Sequence, residues 1–519
     1  MSPIPMNVDA RASSRRGPWI AVSIALALLG AAIIGSLHVG FQASDDIHYL
    51  NGALGWIDGF PYVGDSHWTL RHTITLPTAF FVQLFGLHEW AVSLSNIVYF
   101  CAFLALNFYF VRRFLGGRSA ALTTLLLLLT PGFPVVATYL NPDIPELFFV
   151  SSAFWALLMA LEHQASLRWW VIAGAFAGLG FINRETAAAF VLFATLLCGF
   201  RPGAPRMRYL PMAAAFVAVL FFEWLYLMLM TGNPLYRVRV DFHHSSIDRF
   251  AEFAGVAAQG RWIDNEGNLS VNVFLDPVIN LFVSQKYALL FWLAVPAAVF
   301  AWRHRQSPQA QSLLLLAALG LTFFVFIGAN PKLLLVPRYF IDVAWVAAVL
   351  GGWGLARLWE AGRTRLAAAL TAAAVLAGLA ALSVENVNPR MVERALVQWV
   401  QAHPGETVYT DIETRARSEF YFRFAGVSMD RVIAEAPPKG ALFFHSASRV
   451  ATCAAMPRCK ERAGDFRPQA NWKSESTISG PRKPAAWLAG QLGLGRLLPQ
   501  DVAQRVLATI GEITLYRIE

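Results

Sequence analysis

The side chains best placed to do chemistry in this 519-residue chain are charged groups standing at the ends of long apolar runs. Ser44-Asp45-Asp46-Ile47-His48-Tyr49 sets two adjacent carboxylates directly after the first such run. Adjacent side chains on a helix point in different directions, so both cannot easily serve one proton. One carboxylate can act as general base while its neighbour binds a cation or orients a partner. Acidic residues also stabilise helix N-termini, and the doublet alone leaves both readings open. Asn141-Pro142-Asp143-Ile144-Pro145-Glu146 opens another apolar run. Pro145 suits a first helical turn and Asp143 a cap, whereas Glu146, one turn deeper, is harder to explain as a cap.

Cations stand at two further run ends. Asn183-Arg184-Glu185-Thr186 links two very apolar stretches; it reads either as a local Arg-Glu pair or as an arginine reaching for a phosphate. Pro331-Lys332 and Pro337-Arg338-Tyr339 place two cations where the positive-inside trend disfavours them. That position suggests an anionic ligand such as a lipid phosphate, with snorkelling anchors as the other reading. Asp241, His243 and His244 are the residues that could contribute ligands to a divalent metal ion. Adjacent histidines in a loop are more often plain loop residues, and no other cofactor is called for.

The elements that must position these groups are membrane helices. The chain is 56% hydrophobic and only 14% charged, with a mean hydropathy of +0.48, too apolar for a protein that must coat its surface with charge. A helix of about 20 residues matches roughly 30 Å of hydrocarbon. Spans are expected near 19–38, 90–110, 120–135, 144–162, 169–181, 187–200, 210–230, 288–302, 313–327, 340–358 and 366–382. Arg15 and Arg16, then Arg112, Arg113 and Arg118, then Arg168, then Arg201, Arg206 and Arg208, then Arg303 and Arg305, then Arg357, Arg363 and Arg365 fall at alternate loops. Cytoplasmic loops keep the excess of Lys and Arg, so the N-terminus is expected in the cytoplasm of a bacterium and the tail in the periplasm. The net charge of +9 follows from the same rule, and no nucleic-acid partner is implied. The first run lacks a clear small-x-small cleavage site and is read as an uncleaved anchor.

Three non-membrane regions then share the periplasmic side: loops 40–89 and 231–287, and everything after Val384. Residues 1–384 are expected to form the membrane domain and 385–519 a small α/β domain of ordinary size. In the first loop, Leu76, Phe80, Phe81, Leu84 and Phe85 recur at helical spacing, which predicts a helix over 74–85 lying in the interface plane. The tail predicts a helix over 389–403 and strands at 407–410, 441–445 and 513–518, with no catalytic motif. A lid, an acceptor-docking surface or a stabilising cap all remain open for it. Cys101 and Cys198 read as core residues, and Cys453 and Cys459 could close a disulfide in an oxidising compartment.

Asp45, Asp46 and Tyr49, then Phe85-Gly86 and Glu89-Trp90, then Pro131-Gly132, Pro142-Asp143, Arg184-Glu185 and Pro337-Arg338-Tyr339 follow in an order that resembles the GT-C glycosyltransferases. The similarity is to the branch holding lipid A aminoarabinose transferase and the protein O-mannosyltransferases, and it runs over roughly the first 340 residues. It implies a GT-C fold of about 11 transmembrane helices and a sugar donor carried on polyprenyl phosphate. It also implies Asp45 as candidate base, Asp143 as a second active-site carboxylate and Arg338 as a phosphate binder. Where the family often carries Lys-Pro-Pro or His-Pro-Pro in the first loop, this chain has Arg71-His72 before Thr73 and a proline only at Pro77.

Carboxylates beside cations on one membrane face suit transfer of a group from a lipid phosphate, with a base for the nucleophile and cations for the leaving anion. The expected activity is an inverting transfer of a sugar from undecaprenyl phosphate to a periplasmic lipid, glycan or protein. Asp45, Asp46 and Asp143 would be catalytic, Arg338, Arg184 and Lys332 would bind the donor phosphate, and Tyr49, His72, Arg71, Glu146, Glu185 and Tyr339 would complete the site. A transporter of a lipid-linked or anionic substrate is the alternative; it calls for ionisable residues near mid-membrane and paired repeats, and the charges here gather at span ends.

Overall fold

A computed structural model of the chain describes residues 17–200, 203–242, 261–263, 270–272, 275–329, 337–447, 449, 468–481, 483–491, 493 and 511–519. Lys332, His243, His244, Cys453 and Cys459 lie outside the described residues.

Among the described residues seven helices are long and apolar enough to cross a membrane, and four shorter apolar helices accompany them. In chain order these are α1 (Gly17–Ser36), α4 (Glu89–Leu115), α5 (Gly117–Leu129), α6 (Asp143–Glu162), α7 (Leu167–Asn183), α8 (Ala188–Phe200), α9 (Leu210–Thr231), α12 (Leu290–Arg303), α13 (Pro308–Gly328), α14 (Ile341–Glu360) and α15 (Thr364–Ser383). Each expected span coincides with one of them. Helices apolar on every side belong in a membrane or deep in a core, and both kinds occur. α6 is buried over 94% of its apolar window and α14 over 89%, whereas α1 and α9 are buried over only 11% and 17%. α6 and α14 therefore form the centre, and α1 and α9 the lipid-facing rim.

Without a hydrophobic drive between helices in lipid, close packing needs small residues. A Cβ on Gly352 of α14 would stand 2.6 Å from the Thr123 backbone nitrogen of α5, and one on Gly174 of α7 would stand 2.0 Å from the Met212 carbonyl of α9. These contacts bring the backbones of the paired helices together.

The first loop folds into α2 (Asp45–Asp58) and α3 (His72–Phe85). α3 buries Ile74, Thr78, Ala79 and Val82 and exposes Leu76, Phe80, Leu84 and Phe85, the apolar outer face expected of a helix in the interface plane. The middle loop holds α10 (Tyr236–Phe242), the antiparallel pair β1 (Arg261–Ile263) and β2 (Ser270–Asn272), and α11 (Asp276–Val283).

Beyond α15 come α16 (Met391–Ala402), β3 (Val408–Tyr409), α17 (Ile412–Ala425), β4 (Val432–Ile433), β5 (Leu442–Ser446), β6 (Lys473–Ser479), α18 (Pro484–Gln491) and β7 (Glu512–Arg517). The strands form one sheet in the order β4-β3-β5-β7-β6, with β3 parallel to β4 and β5, and β7 antiparallel to β5 and β6. The expected helix and three strands correspond to α16, β3, β5 and β7. Leu396, Phe420, Phe444 and Leu515 of this α/β region share one apolar core with Phe41, Tyr49, Leu50, Ile74 and Val92. The tail and the first loop thus sit on the same face of the helix bundle.

Candidate active site

Four segments far apart in sequence meet where α2, α6, α7 and α14 begin or end on that face. The 3-10 turn Pro337–Phe340 leads into α14 and sets Arg338 between two carboxylates. Its Nη2 lies 3.3 Å from Asp45 Oδ2 and its Nε 3.7 Å from Asp143 Oδ2. The two acids differ in access: the Asp45 side chain is 45% exposed and that of Asp143 not at all. Arg338 Nε and Asp143 Oδ2 are both buried without a hydrogen-bond partner among the described residues. A guanidinium beside an accessible carboxylate is what an incoming anion and a nucleophile require.

Asp143 starts α6, where Asn141 Oδ1 accepts its backbone N–H at 2.9 Å. Its other carboxylate oxygen takes a 2.5 Å bond from Arg184 Nη1, which also reaches Glu146 at 3.2 Å. Thr186 donates to the second oxygen of Glu146, and the Arg184 guanidinium lies 4.2 Å from the Tyr339 ring centroid. Arg184 thus engages two acids and a ring, and it meets Asp143 through the carboxylate oxygen that Arg338 does not approach. Asn183 secures this corner by donating to the Pro142 carbonyl at 2.9 Å and accepting from Thr73 at 3.0 Å.

The doublet at the start of α2 splits in two directions, as adjacent helical positions must. Asp45 turns outward to Arg338, while Asp46 is buried and turns back to accept the backbone N–H groups of Gln42 at 2.5 Å and Ser44 at 2.6 Å. Burial pushes the Asp46 carboxyl up to about 6, against the opposing pull of those two N–H bonds and of Arg390. Tyr49, one turn on, accepts from Arg71 Nη1 at 2.5 Å; burial raises its phenol to about 12 and keeps it neutral. Arg71 continues to Glu185 at 3.5 Å, and Arg237 of α10 pairs with Glu185 at 3.2 Å and with Glu223 at 2.6 Å. His72 points elsewhere, edge-on to Trp56 and Tyr226, and burial depresses its pKa to about 4, leaving the ring neutral.

A cavity of about 270 Å³ opens on Arg338, lined also by Gln42, Tyr139, Lys286, Tyr287 and Glu385. Lys286 is held by Glu385, just past α15, and Tyr287 donates to the Pro337 carbonyl, fixing the turn that carries Arg338. Among the sequence candidates, Asp45, Asp143, Glu146, Arg184, Arg338 and Tyr339 come together directly. Tyr49, Arg71 and Glu185 form the adjoining network, Asp46 underpins the loop, and His72 stands apart.

Sequence reasoning missed several members. Asp342, one turn after Arg338, is buried with Oδ1 unpartnered among the described residues; an acid inside an apolar run was the signal. Tyr139, Lys286 and Glu385 carried no comparable signal, because each is an ordinary loop or helix-end residue. Among the described residues no group of three or more His, Cys, Asp or Glu side chains could hold a metal ion. Asp241 instead lies 3.7 Å from Arg237, with its carboxyl pushed up to about 6 by burial.

Residues 74–232 match the family model described as dolichyl-phosphate-mannose-protein mannosyltransferase. No curated protein matches the chain. The crystal structure of ArnT from Cupriavidus metallidurans bound to undecaprenyl phosphate aligns with a TM-score of 0.57 at 16% identity, over 85% of this chain and 95% of that one. Its apo state aligns with the same TM-score at 14% identity, over 96% and 98%. The Archaeoglobus fulgidus oligosaccharyltransferase in complex with Zn and sulfate gives 0.51 at 16% identity, over 77% of this chain and 61% of that one. At such identities the likeness is one of fold, and it extends through the small C-terminal sheet region. The chain is thus a multi-pass helical protein with the GT-C fold of ArnT, resembling the dolichyl-phosphate-mannose-protein mannosyltransferases over residues 74–232.

Proposed function

We propose that the chain is a glycosyltransferase of the bacterial inner membrane that moves a sugar from undecaprenyl phosphate to a periplasmic acceptor, with inversion at the anomeric carbon. The observation that carries this reading is Arg338, a cation that lines a cavity between an accessible and a buried carboxylate and whose Nε makes no hydrogen bond among the described residues. The family match and the fold shared with a protein crystallised with undecaprenyl phosphate support the lipid-linked donor.

In this reading Asp45 takes the proton of an acceptor hydroxyl as its oxygen bonds to the anomeric carbon. The bond from that carbon to the phosphate oxygen breaks, its electron pair leaves with the lipid phosphate, and Arg338 stabilises the departing anion. Attack opposite the phosphate inverts the configuration in one displacement. Arg184 holds Asp143 and Glu146 in place, and Asp143 keeps Arg338 oriented. Lys332 remains a candidate phosphate ligand from the sequence. Residues 1–384 act as the membrane domain and 385–519 as a periplasmic domain, with the N-terminus in the cytoplasm.

The test is to give the purified chain a panel of undecaprenyl-phosphate-linked hexoses and pentoses with cell-envelope acceptors and to follow free undecaprenyl phosphate and glycosylated acceptor. The two should appear together. Movement of a lipid-linked sugar across proteoliposomes without cleavage would instead support a transporter.

A further inference from the structure

Residues 39–44 join α1 to α2 and end on the acidic doublet. They form neither helix nor strand, and Gly40 (φ +73°) and Ala43 (φ +49°) lie in the left-handed region. A residue with a Cβ holds that conformation only where its surroundings over-determine it, and here they do. On the amide side, Val39 N donates to Thr138 Oγ1 at 3.1 Å, Gly40 N to the Thr138 carbonyl at 3.1 Å and Phe41 N to Glu89 Oε1 at 2.9 Å. Gln42 N and Ser44 N donate to Asp46.

The carbonyl side is held by the C-terminal region. Arg394 of α16 donates to the Val39 carbonyl at 2.8 Å while pairing with Glu89. From α17, Tyr421 donates to the Phe41 carbonyl and Arg417 to the Ala43 carbonyl at 2.5 Å. Arg390, just before α16, donates to the Gln42 carbonyl. The Phe41 ring is inserted edge-on among Phe420, Tyr421 and Phe424, at centroid distances of 5.4, 5.7 and 5.3 Å. Three guanidiniums and a phenol thus converge on four carbonyls of one short segment, which lines the cavity through Val39 and Gln42 and leads within two residues to Asp45, the partner of Arg338.

We propose that the C-terminal domain is a template for the acidic doublet: Arg394, Arg417 and Tyr421 are positioning residues that fix segment 39–43 and so aim Asp45 at Arg338. This rests on the transferase reading of Asp45. A general base works only within hydrogen-bond reach of its proton, and misplacement by about 1 Å from a distant change can cost a hundredfold in rate. A cap that only shields apolar surface would leave the carbonyls before Asp45 to water.

The test uses the full chain in nanodiscs and reads kcat as undecaprenyl phosphate released from whichever undecaprenyl-phosphate-linked hexose or pentose the wild type turns over fastest. Arg417→Ala should lower kcat about tenfold or more with little change in KM for the donor. Arg417→Lys, which keeps one donor for the Ala43 carbonyl, should recover much of the loss. In an Asp45→Asn background Arg417→Ala should cost nothing further, because its effect passes through that carboxylate. Tyr421→Phe removes one hydroxyl and keeps the ring packing, so it serves if Arg417→Ala fails to fold; it should lower kcat and speed amide hydrogen exchange in residues 39–46 while leaving α4 and α6 protected. An equal factor for Arg417→Ala in both backgrounds, equal losses for Ala and Lys, or unchanged kcat and exchange in Tyr421→Phe would each overturn the template. Wild-type turnover that survives Arg417→Ala removes the template and leaves the transferase standing; a wild type that releases no undecaprenyl phosphate removes the transferase as well.

Discussion

At the scale of single residues, the geometry divides labour between two cations that sequence alone treats alike. Arg184 reaches both Asp143 and Glu146 through Nη1 and packs on Tyr339, whereas Arg338 lines the cavity and its Nε makes no hydrogen bond among the described residues. Arg338→Ala should therefore weaken binding of undecaprenyl phosphate to the chain in nanodiscs by about tenfold or more, the scale of a hydrogen bond to a charged group. Arg338→Lys should weaken it less, since Lys keeps the charge and loses the fork; equal affinities in both variants and wild type would leave Arg338 without a phosphate role. Asp46 gives a prediction of opposite sign to most carboxylates. Its folded pKa of about 6 lies above the ordinary 3.8, so the folded chain takes up a proton between those values and is favoured as pH falls through that range. The melting temperature of the wild type relative to Asp46→Asn should rise on going from about pH 7.5 to about pH 5, an effect of at most about 1.4 kcal/mol because pH 5 lies about one pH unit below the folded value. A difference that shrinks in acid would mean that the ionised form is the one the fold prefers.

At the scale of elements, the backbone approach of α14 to α5 is the most exposed to test. Gly352→Ala forces a Cβ against Thr123 and should cost about 1–3 kcal/mol, as overpacking does, read as a lower melting temperature in detergent. Gly199→Ala, whose Cβ meets nothing within 4 Å, is the matched control and should melt like the wild type. The membrane helices were legible because unbroken apolar length is a strong local signal, and α3 because Leu76, Phe80 and Leu84 repeat at helical spacing. α17 was not, since IETRARSEFYFRFA is polar for two turns and gathers its aromatics at one end. β6 escaped for a related reason: KSESTIS has no apolar face, being an exposed edge strand. In the site, the charged ends of apolar runs pointed to Asp45, Asp143, Glu146, Arg184 and Arg338. Pairings across 293 residues, such as Arg338 with Asp45, leave no trace in local spacing, and neither does the grip of α16 and α17 on residues 39–43.

At the scale of the whole molecule, the shared core of first loop and tail requires both to lie on one side of the membrane, and in the proposed topology, drawn from the Arg alternation, that side is the periplasm. A periplasm-dependent reporter fused after Val384 should be active, and activity only from a cytoplasmic reporter would invert the topology. The central claim is that Asp45 is the base of a sugar transfer from a lipid phosphate held by Arg338. The most direct measurement compares Asp45→Asn with the wild type for release of undecaprenyl phosphate coupled to acceptor glycosylation, alongside binding of undecaprenyl phosphate. Asn keeps the size and cannot take the proton, so turnover should fall by about a hundredfold or more while the lipid phosphate still binds. Near-normal turnover in Asp45→Asn would contradict the account.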